Sequence, residues 1–313
     1  MVWDRIDHPD AEQVERWGGI AYSLAAAAAA LPERWSLRPL VKVGADLAAS
    51  ADRFVDGLPG VDPAASLVRV PEPNNRVHLR YIDRHHRHEC LTGGVPPWRS
   101  EELDPLLDGL DALYVNLIAG SELDLDTARR LRRRFPGPLY ADLHSLLLGP
   151  PPGDAPRRPR PLDRRDEWLD CFDVVQVNDT ELALVAGPDE PWAVAREAVR
   201  RGVAAVLVTL GPDGATWVAL EDHPRPWEDP RRRGTTGPGG PTPEPVLRNV
   251  PVGRPWPSGD PTGCGDVWGA TCFIELVRGR RLSEAVTLAN RAAARNATHR
   301  GADGLYEHLR GGA

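Results

Sequence analysis

The stretch Asp260-Pro261-Thr262-Gly263-Cys264-Gly265-Asp266 leads directly into residues 265–277, which carry apolar residues at helical spacing. Small residues with backbone freedom ahead of a helix bring several N–H groups to one point, and the helix dipole adds partial positive charge there. Such a cradle suits a phosphoryl group, whose transition state spreads negative charge over its oxygens. A carboxylate at the end of the cradle is wrong for simple phosphate binding. Asp266 makes sense instead as a general base that takes a proton from an attacking hydroxyl. A glycine-rich turn capped by Asp266 is the plainer alternative.

Upstream of this stretch the chain alternates between strand and helix patterns. Residues 112–117, 139–143, 174–177 and 204–210 read as strands, and 126–135, 180–186 and 193–201 as helices. Alternation of this kind implies a largely parallel sheet with right-handed crossovers, with ligands beyond the carboxyl ends of its strands. Residues 18–31 read as an Ala-rich helix ended by Pro32, and 40–43 as a short buried strand followed by a helical stretch near 46–54. Residues 65–70 and 76–89 alternate as a hairpin would. A last helix over 283–298 has Ser283 as its expected N-cap. The Pro- and Arg-rich segments 150–165 and 223–245 cannot bury enough apolar surface to order a core, so both are expected as mobile surface insertions.

Composition removes several mechanisms. In 313 residues with 27% charged and 41% hydrophobic content, 37 of the 38 basic side chains are Arg and one, Lys42, is Lys. No Gly-Lys-Ser/Thr triplet exists, so a Walker A loop is excluded. Schiff-base chemistry would fall to Lys42 within Leu40-Val41-Lys42-Val43, and no His-Arg-Asp or Asp-Phe-Gly motif points to a protein kinase. Any phosphate must be held by Arg, backbone N–H groups, a helix dipole or metal. The net charge of −7 gives no invitation to nucleic acid, and residues 25–30 form too short an apolar run to span a bilayer. Cys90, Cys171, Cys264 and Cys272 lack zinc-ribbon spacing, and Met1 is followed by Asp4, Arg5 and Asp7, so the expectation is a cytoplasmic protein with reduced thiols and no signal peptide.

The heptapeptide resembles the carboxyl-terminal signature of the PfkB, or ribokinase-like, family of carbohydrate and nucleoside kinases, Asp-Thr-x-Gly-Ala-Gly-Asp. Further elements match in the family's order. Gly18-Gly19 opens the first long helix, like the family's di-glycine hinge. Asn178-Asp179-Thr180-Glu181 follows a strand, like the Asn-x-x-Glu motif. Residues 208–215 resemble the Thr-x-Gly-x-x-Gly turn beside the nucleotide, and Asn290 and Gly301-Ala302 match the helix that flanks adenine and the turn after it. The resemblance implies one ribokinase-like domain over 1–313: a three-layer α/β/α sandwich with a largely parallel central sheet and a small β lid. The lid would come from about residues 66–90, with 41–44 a candidate addition.

The same resemblance implies the chemistry. The γ-phosphoryl of ATP would pass to a hydroxyl of a small sugar, with a nucleoside acceptor or a non-catalytic ligand-binding relative as alternatives. Asp266 would be the base, and the Gly263, Cys264 and Gly265 amides would stabilise the transferring group. Thr209, Gly211, Gly214 and Asn290 would contact nucleotide, and Asn178 and Glu181 would organise Mg²⁺. Asp4, Gly18, Gly19, Ser23, Asn116 and Asp142 would face the acceptor. A monovalent cation activator and a homodimer through the lid also belong to this expectation.

The sequence departs from the family's pattern in places. Cys264 replaces Ala, and a thiol at a helix N-terminus is expected to have a lowered pKa and to be open to oxidation. Thr271 stands where Ala or Gly is usual. Ser23, next to Tyr22, stands where many sugar kinases have a substrate-binding Asn. Residues 1–6 look like only the tail of the family's central first strand, with Asp4 matching its acid.

Two other clusters draw attention. Arg84-His85-His86-Arg87-His88-Glu89-Cys90 carries metal-ligand types, but strand geometry divides His85 from His86 and His88, and two Arg oppose a cation. In the family's layout this segment belongs to the lid, where Arg76, Arg80 or Tyr81 would reach substrate. Asp142-Leu143-His144-Ser145 contains the side chains of a hydrolase triad but no Gly-x-Ser-x-Gly elbow.

Overall fold

The computed structural model describes residues 1–7, 12–62, 67–81, 87–150, 155–228, 244–253, 257 and 259–311. In chain order the elements are β1 (Val2–Asp7), β2 (Val14–Gly18), α1 (Ile20–Ala30), β3 (Lys42–Gly44), α2 (Ala48–Asp56), β4 (Val68–Val70), β5 (Arg76–Tyr81), β6 (Arg87–Thr92) and α3 (Ser100–Leu103). Then come β7 (Leu113–Asn116), α4 (Leu125–Arg134), β8 (Leu139–Asp142), α5 (Arg165–Leu169), β9 (Val174–Asn178), α6 (Asp179–Ala186) and α7 (Pro191–Arg201). The chain ends with β10 (Ala205–Thr209), β11 (Ala215–Ala219), β12 (Val246–Val250), α8 (Cys264–Val277), α9 (Leu282–Asn296) and α10 (Leu305–Arg310).

Strands β7 to β12 form a six-stranded sheet in the order β12-β11-β10-β9-β8-β7. The pairs β7–β8, β8–β9 and β9–β10 are parallel, while β11 and β12 run antiparallel. Strand β10 is an unbroken apolar run buried along Ala205–Val208, because helices cover both faces of the sheet. One face packs on α1, α8 and α9 and the other on α4, α6 and α7, each with its own apolar cluster. This is the three-layer α/β/α arrangement the resemblance implies, built on the largely parallel sheet the alternation implies.

The small sheet differs from the sequence expectation. It has four strands in the order β2-β1-β5-β6. Residues 68–70 are not part of a hairpin with 76–81; they pair in parallel with 42–44 as a separate two-stranded sheet. The hairpin is β5–β6 instead. Residues 1–6 do not enter the central sheet: β1 pairs with β2 and β5 over its whole length. A cavity of about 820 Å³ is lined by Val41 and Lys42 near β3 and by Leu113, Val115 and Asn116 on β7.

Two further expectations are corrected. The N-cap of α9 is Arg281, not Ser283, whose N–H donates to Asp222 Oδ1 at 2.9 Å. The described part of segment 150–165 is tied down, because Arg157 is buried and donates to Gly149 O (3.1 Å) and Ser145 O (3.1 Å). A guanidinium buried with partners anchors a chain that has little apolar surface of its own. Most of 223–245, and residues 82–86 of the His-rich cluster, lie outside the described residues.

Lys42 is buried, donates to Glu102 Oε2 (2.7 Å) and Pro97 O (2.9 Å), and lies over the Trp98 ring. The single lysine is therefore structural. Among the described residues no helix is long and apolar enough to cross a membrane.

Candidate active site

Strand register assembles the site. Asn116 on β7 lies opposite Asp142 on β8, which lies opposite Gln176 on β9. All three stand at the carboxyl end of the sheet, where the amino terminus of α8 arrives. There Asn116 Nδ2 donates to Asp266 Oδ1 at 2.7 Å and to Ser23 Oγ at 3.2 Å, and Ser23 Oγ donates to the Asp266 carbonyl at 3.4 Å. Asn116 and Ser23, read from sequence as acceptor contacts, thus both touch Asp266, Asn116 at the carboxylate and Ser23 at the main-chain carbonyl. Asn116 Oδ1 is buried without a partner.

Gln176 was not singled out by sequence. Its Nε2 donates to Asp142 Oδ2 (3.1 Å) and to Gly265 O (3.1 Å), and its Oε1 accepts from Tyr140 (2.8 Å). It ties the middle of the sheet to the start of α8. The available signal was a lone amide within the otherwise aliphatic Val174-Val175-Gln176-Val177.

The cradle is built on Gly263, the N-cap of α8, which sits in the left-handed region at φ 76. A Cβ there would fall 2.3 Å from the Tyr22 ring, so only glycine fits. The Cys264 N–H is spent on Pro261 O at 3.1 Å, while Gly265 is exposed at the helix mouth. The Cys264 thiol is not activated. Burial pushes it up to about 11, Asn296 Nδ2 donates to Sγ, and Sγ faces Ala293 O. The desolvation of a buried sulfur outweighs the helix dipole that sequence alone brings to mind.

Asn178 and Glu181 form a reciprocal capping box at the start of α6: Glu181 N donates to Asn178 Oδ1 and Asn178 N to Glu181 Oε2, both at 2.8 Å. The other Glu181 oxygen lies 3.3 Å from His144 Nδ1. His144 holds a positive φ of 30. Burial opposes its charge, but Glu181, Asp142 and Asp266 together raise its pKa to about 10. Asp142 shifts the other way from a paired acid: burial raises it well above the carboxylate range, aided by Glu181 and Asp266. His144 therefore engages Glu181, and Ser145 Oγ is buried without a partner, so no triad exists. Among the described residues no three metal-ligand side chains converge. With Asn178 and one Glu181 oxygen committed to the cap, the pair fits Mg²⁺ through water rather than as a direct ligand set.

The remaining expected residues are placed as follows. Asp4 is buried and its carboxylate lies directly over Gly18, where any Cβ would collide with it at 1.8 Å. Gly19 takes φ 53 and faces Ile118. Thr209 ends β10, and the turn 211–214 follows with Gly211 open and Gly214 packed on Val250. Asn290 is buried: Nδ2 donates to Val250 O (2.9 Å) and Oδ1 accepts from Trp268 (2.7 Å). Its amide ties α9 to β12 and α8 in the wall of this region. Arg76, read as able to reach substrate, pairs with Asp46 at 2.8 Å.

A parallel sheet with helices on both faces, a four-stranded sheet beside its carboxyl edge and a glycine cradle ending in a carboxylate define the ribokinase-like fold. Solved structures agree. Ribokinase from Thermotoga maritima superposes with a TM-score of 0.69 at 18% identity, covering 99% of this chain and 95% of that one. A nucleoside kinase from Burkholderia thailandensis, in complex with inosine, gives 0.67 at 18% identity over 98% and 93%. A pyrophosphate-dependent kinase of the ribokinase family, complexed with a pyrophosphate analogue and myo-inositol, gives 0.68 at 16% over 96% and 94%. No family model and no curated protein matches the sequence.

Proposed function

We propose that the protein is a phosphotransferase that moves the γ-phosphoryl of ATP to a hydroxyl of a small sugar or nucleoside. The observation that carries this reading is Asp266: a half-buried carboxylate in the first turn of α8, held at Oδ1 by Asn116, beside the exposed Gly265 at the helix mouth. A base aimed from the rim of an anion cradle suits deprotonation of an attacking hydroxyl in line with a bound phosphoryl group.

In this reading Asp266 accepts the hydroxyl proton while Asn116 keeps its carboxylate in one rotamer and Ser23 holds its main-chain carbonyl. The Gly265 amide and the helix dipole stabilise the charge on the transferring group. Mg²⁺, held through water by Glu181, would neutralise donor phosphate charge when bound. Asp4 grips an acceptor hydroxyl from the small sheet, and the Gly18-Gly19 joint lets that sheet cover the site and limit water. Pairing two reactants in one geometry supplies much of the acceleration. Asn290 shapes the nucleotide side from behind, with Thr209 and the 211–214 turn at its edge.

The structures that superpose on the chain include kinases complexed with inosine and with a pyrophosphate analogue, so nucleosides and pyrophosphate belong in the test beside sugars and ATP. The experiment is phosphoryl transfer across that panel, wild type against Asp266→Asn. Transfer is expected to collapse in the variant while donor binding, read by calorimetry, persists. Undiminished turnover by Asp266→Asn would remove the base from the mechanism, and wild-type binding without turnover would favour a non-catalytic relative.

A further inference from the structure

The monovalent cation that the resemblance implies does not fit this chain, because a side chain already stands behind the cradle. Arg16 comes from β2, two residues before Gly18, and is 8% exposed. Its Nη2 lies 3.9 Å from Asp260 Oδ2, the carboxylate that opens the cradle segment. Asp260 Oδ1 in turn accepts from Thr262 N at 2.9 Å, and Asp260 N donates to Ala297 O at 3.0 Å. On its other flank Arg16 lies against Gly301, where a Cβ would fall 2.6 Å from Cδ and 3.0 Å from Nη1. Arg16 Nε is buried and has no hydrogen-bond partner.

These contacts make Arg16 more than packing. Asp260 is a nearly buried carboxylate behind a site built to attract anions, with Asp266 at its front. A second negative charge there opposes phosphate binding unless a cation compensates it. A K⁺ seated at the Asp260 carboxylate would need Oδ2 as a ligand and room beside it, and the guanidinium stands in that space, 3.9 Å from Oδ2. A guanidinium also cannot serve as a ligand to a cation, since it offers only donors. Its neighbours from the elements packed around it are Asp260, Tyr22 and Asp4, the residue paired with it across the β1–β2 ladder.

We propose that Arg16 is the built-in counter-charge of the cradle: it positions Asp260 and replaces an activating monovalent cation, so that the chain works without K⁺. Because Arg16 is carried on the small sheet, the same contact joins that sheet to the cradle loop next to the Gly18-Gly19 joint. Arg16 is a positioning residue in this scheme. The charge it supplies is fixed in place and needs no ion uptake.

The inference rests on the kinase reading for its activity measurement but not for its thermal one. Melting curves are taken for wild type, Arg16→Met and Arg16→Lys in KCl and in tetramethylammonium chloride at equal ionic strength. Wild type and Arg16→Lys are expected to melt at the same temperature in both salts. Arg16→Met is expected to melt lower in tetramethylammonium and to recover part of the loss in KCl, because Asp260 then has room for the ion. A K⁺-specific rise for wild type would overturn the proposal. So would an Arg16→Met protein that matches wild type in tetramethylammonium. If Arg16→Met does not fold, the behaviour of wild type and Arg16→Lys decides.

With an acceptor from the panel, wild-type kcat is expected to stay within about twofold between the salts. Arg16→Met in tetramethylammonium should lose about tenfold or more in kcat with little change in acceptor KM. Absence of turnover by wild type in both salts would count against the kinase reading and leave the thermal result to judge Arg16.

Discussion

Replacing Asn116 separates two roles that sequence cannot distinguish. The side chain donates to Asp266 Oδ1 at 2.7 Å and to Ser23 Oγ at 3.2 Å, so its removal frees the carboxylate to leave the rotamer that this bond holds. A hydrogen bond to a charged group contributes about 1.5–3 kcal/mol. At about 1.4 kcal/mol per factor of ten, Asn116→Ala should lower kcat by roughly 10- to 100-fold. Asn116→Asp should lower it further, since it sets a second carboxylate against Asp266 in place of a donor. The assay is steady-state donor consumption with a turned-over acceptor, fitted for kcat and acceptor KM separately. A loss confined to kcat supports the orienting role. A raised acceptor KM with kcat intact would refute it and return Asn116 to acceptor binding.

Three other outcomes are expected. His144 has its folded pKa raised to about 10 by Glu181, Asp142 and Asp266 against burial, so it stabilises the fold fully below the ordinary histidine range and loses that contribution as pH rises through 10. The melting-temperature gap between wild type and His144→Gln should therefore be larger at pH 6 than above pH 10, and a gap that widens with pH would contradict the pairing with Glu181. Cys264, pushed up to about 11 by burial, should resist iodoacetamide at neutral pH in the native protein while half-buried Cys90 is labelled; peptide mass mapping checks this. Gly263→Ala sets a methyl group 2.3 Å from the Tyr22 ring at φ 76, which combines about 1–2 kcal/mol of left-handed strain with overpacking of about 1–3 kcal/mol. A melting temperature lowered by several degrees is expected, and an unchanged one would show that the cradle can relax.

Strands β7 to β10 and helices α4 and α6 to α9 were legible because their apolar spacing is strong and each crossover is short, whereas β11, β12, α5 and α10 were not read as elements. The small sheet and the separate β3–β4 pair were not, since their strands pair across long separations: Trp3 with Arg76 in the first, and Lys42 with Val68 in the second. Residues 65–70 read as a hairpin strand by local pattern alone, and only the location of β3 shows where they pair.

The site divides in the same way. The run 260–266 was enough to point to the cradle, to Asp266 as its candidate base and to the chemistry proposed, because a glycine loop entering a helix with an acid at its rim depends on local backbone physics. Tertiary structure alone decided what the neighbouring side chains do. Strand register aims Asn116 and Gln176 at the first turn of α8, burial raises the Cys264 thiol and the Asp142 carboxyl, and β2 carries Arg16 to Asp260 across 244 positions of sequence. Hydrogen bonding, desolvation and charge pairing all depend on distance in space, and a sequence records only distance along the chain.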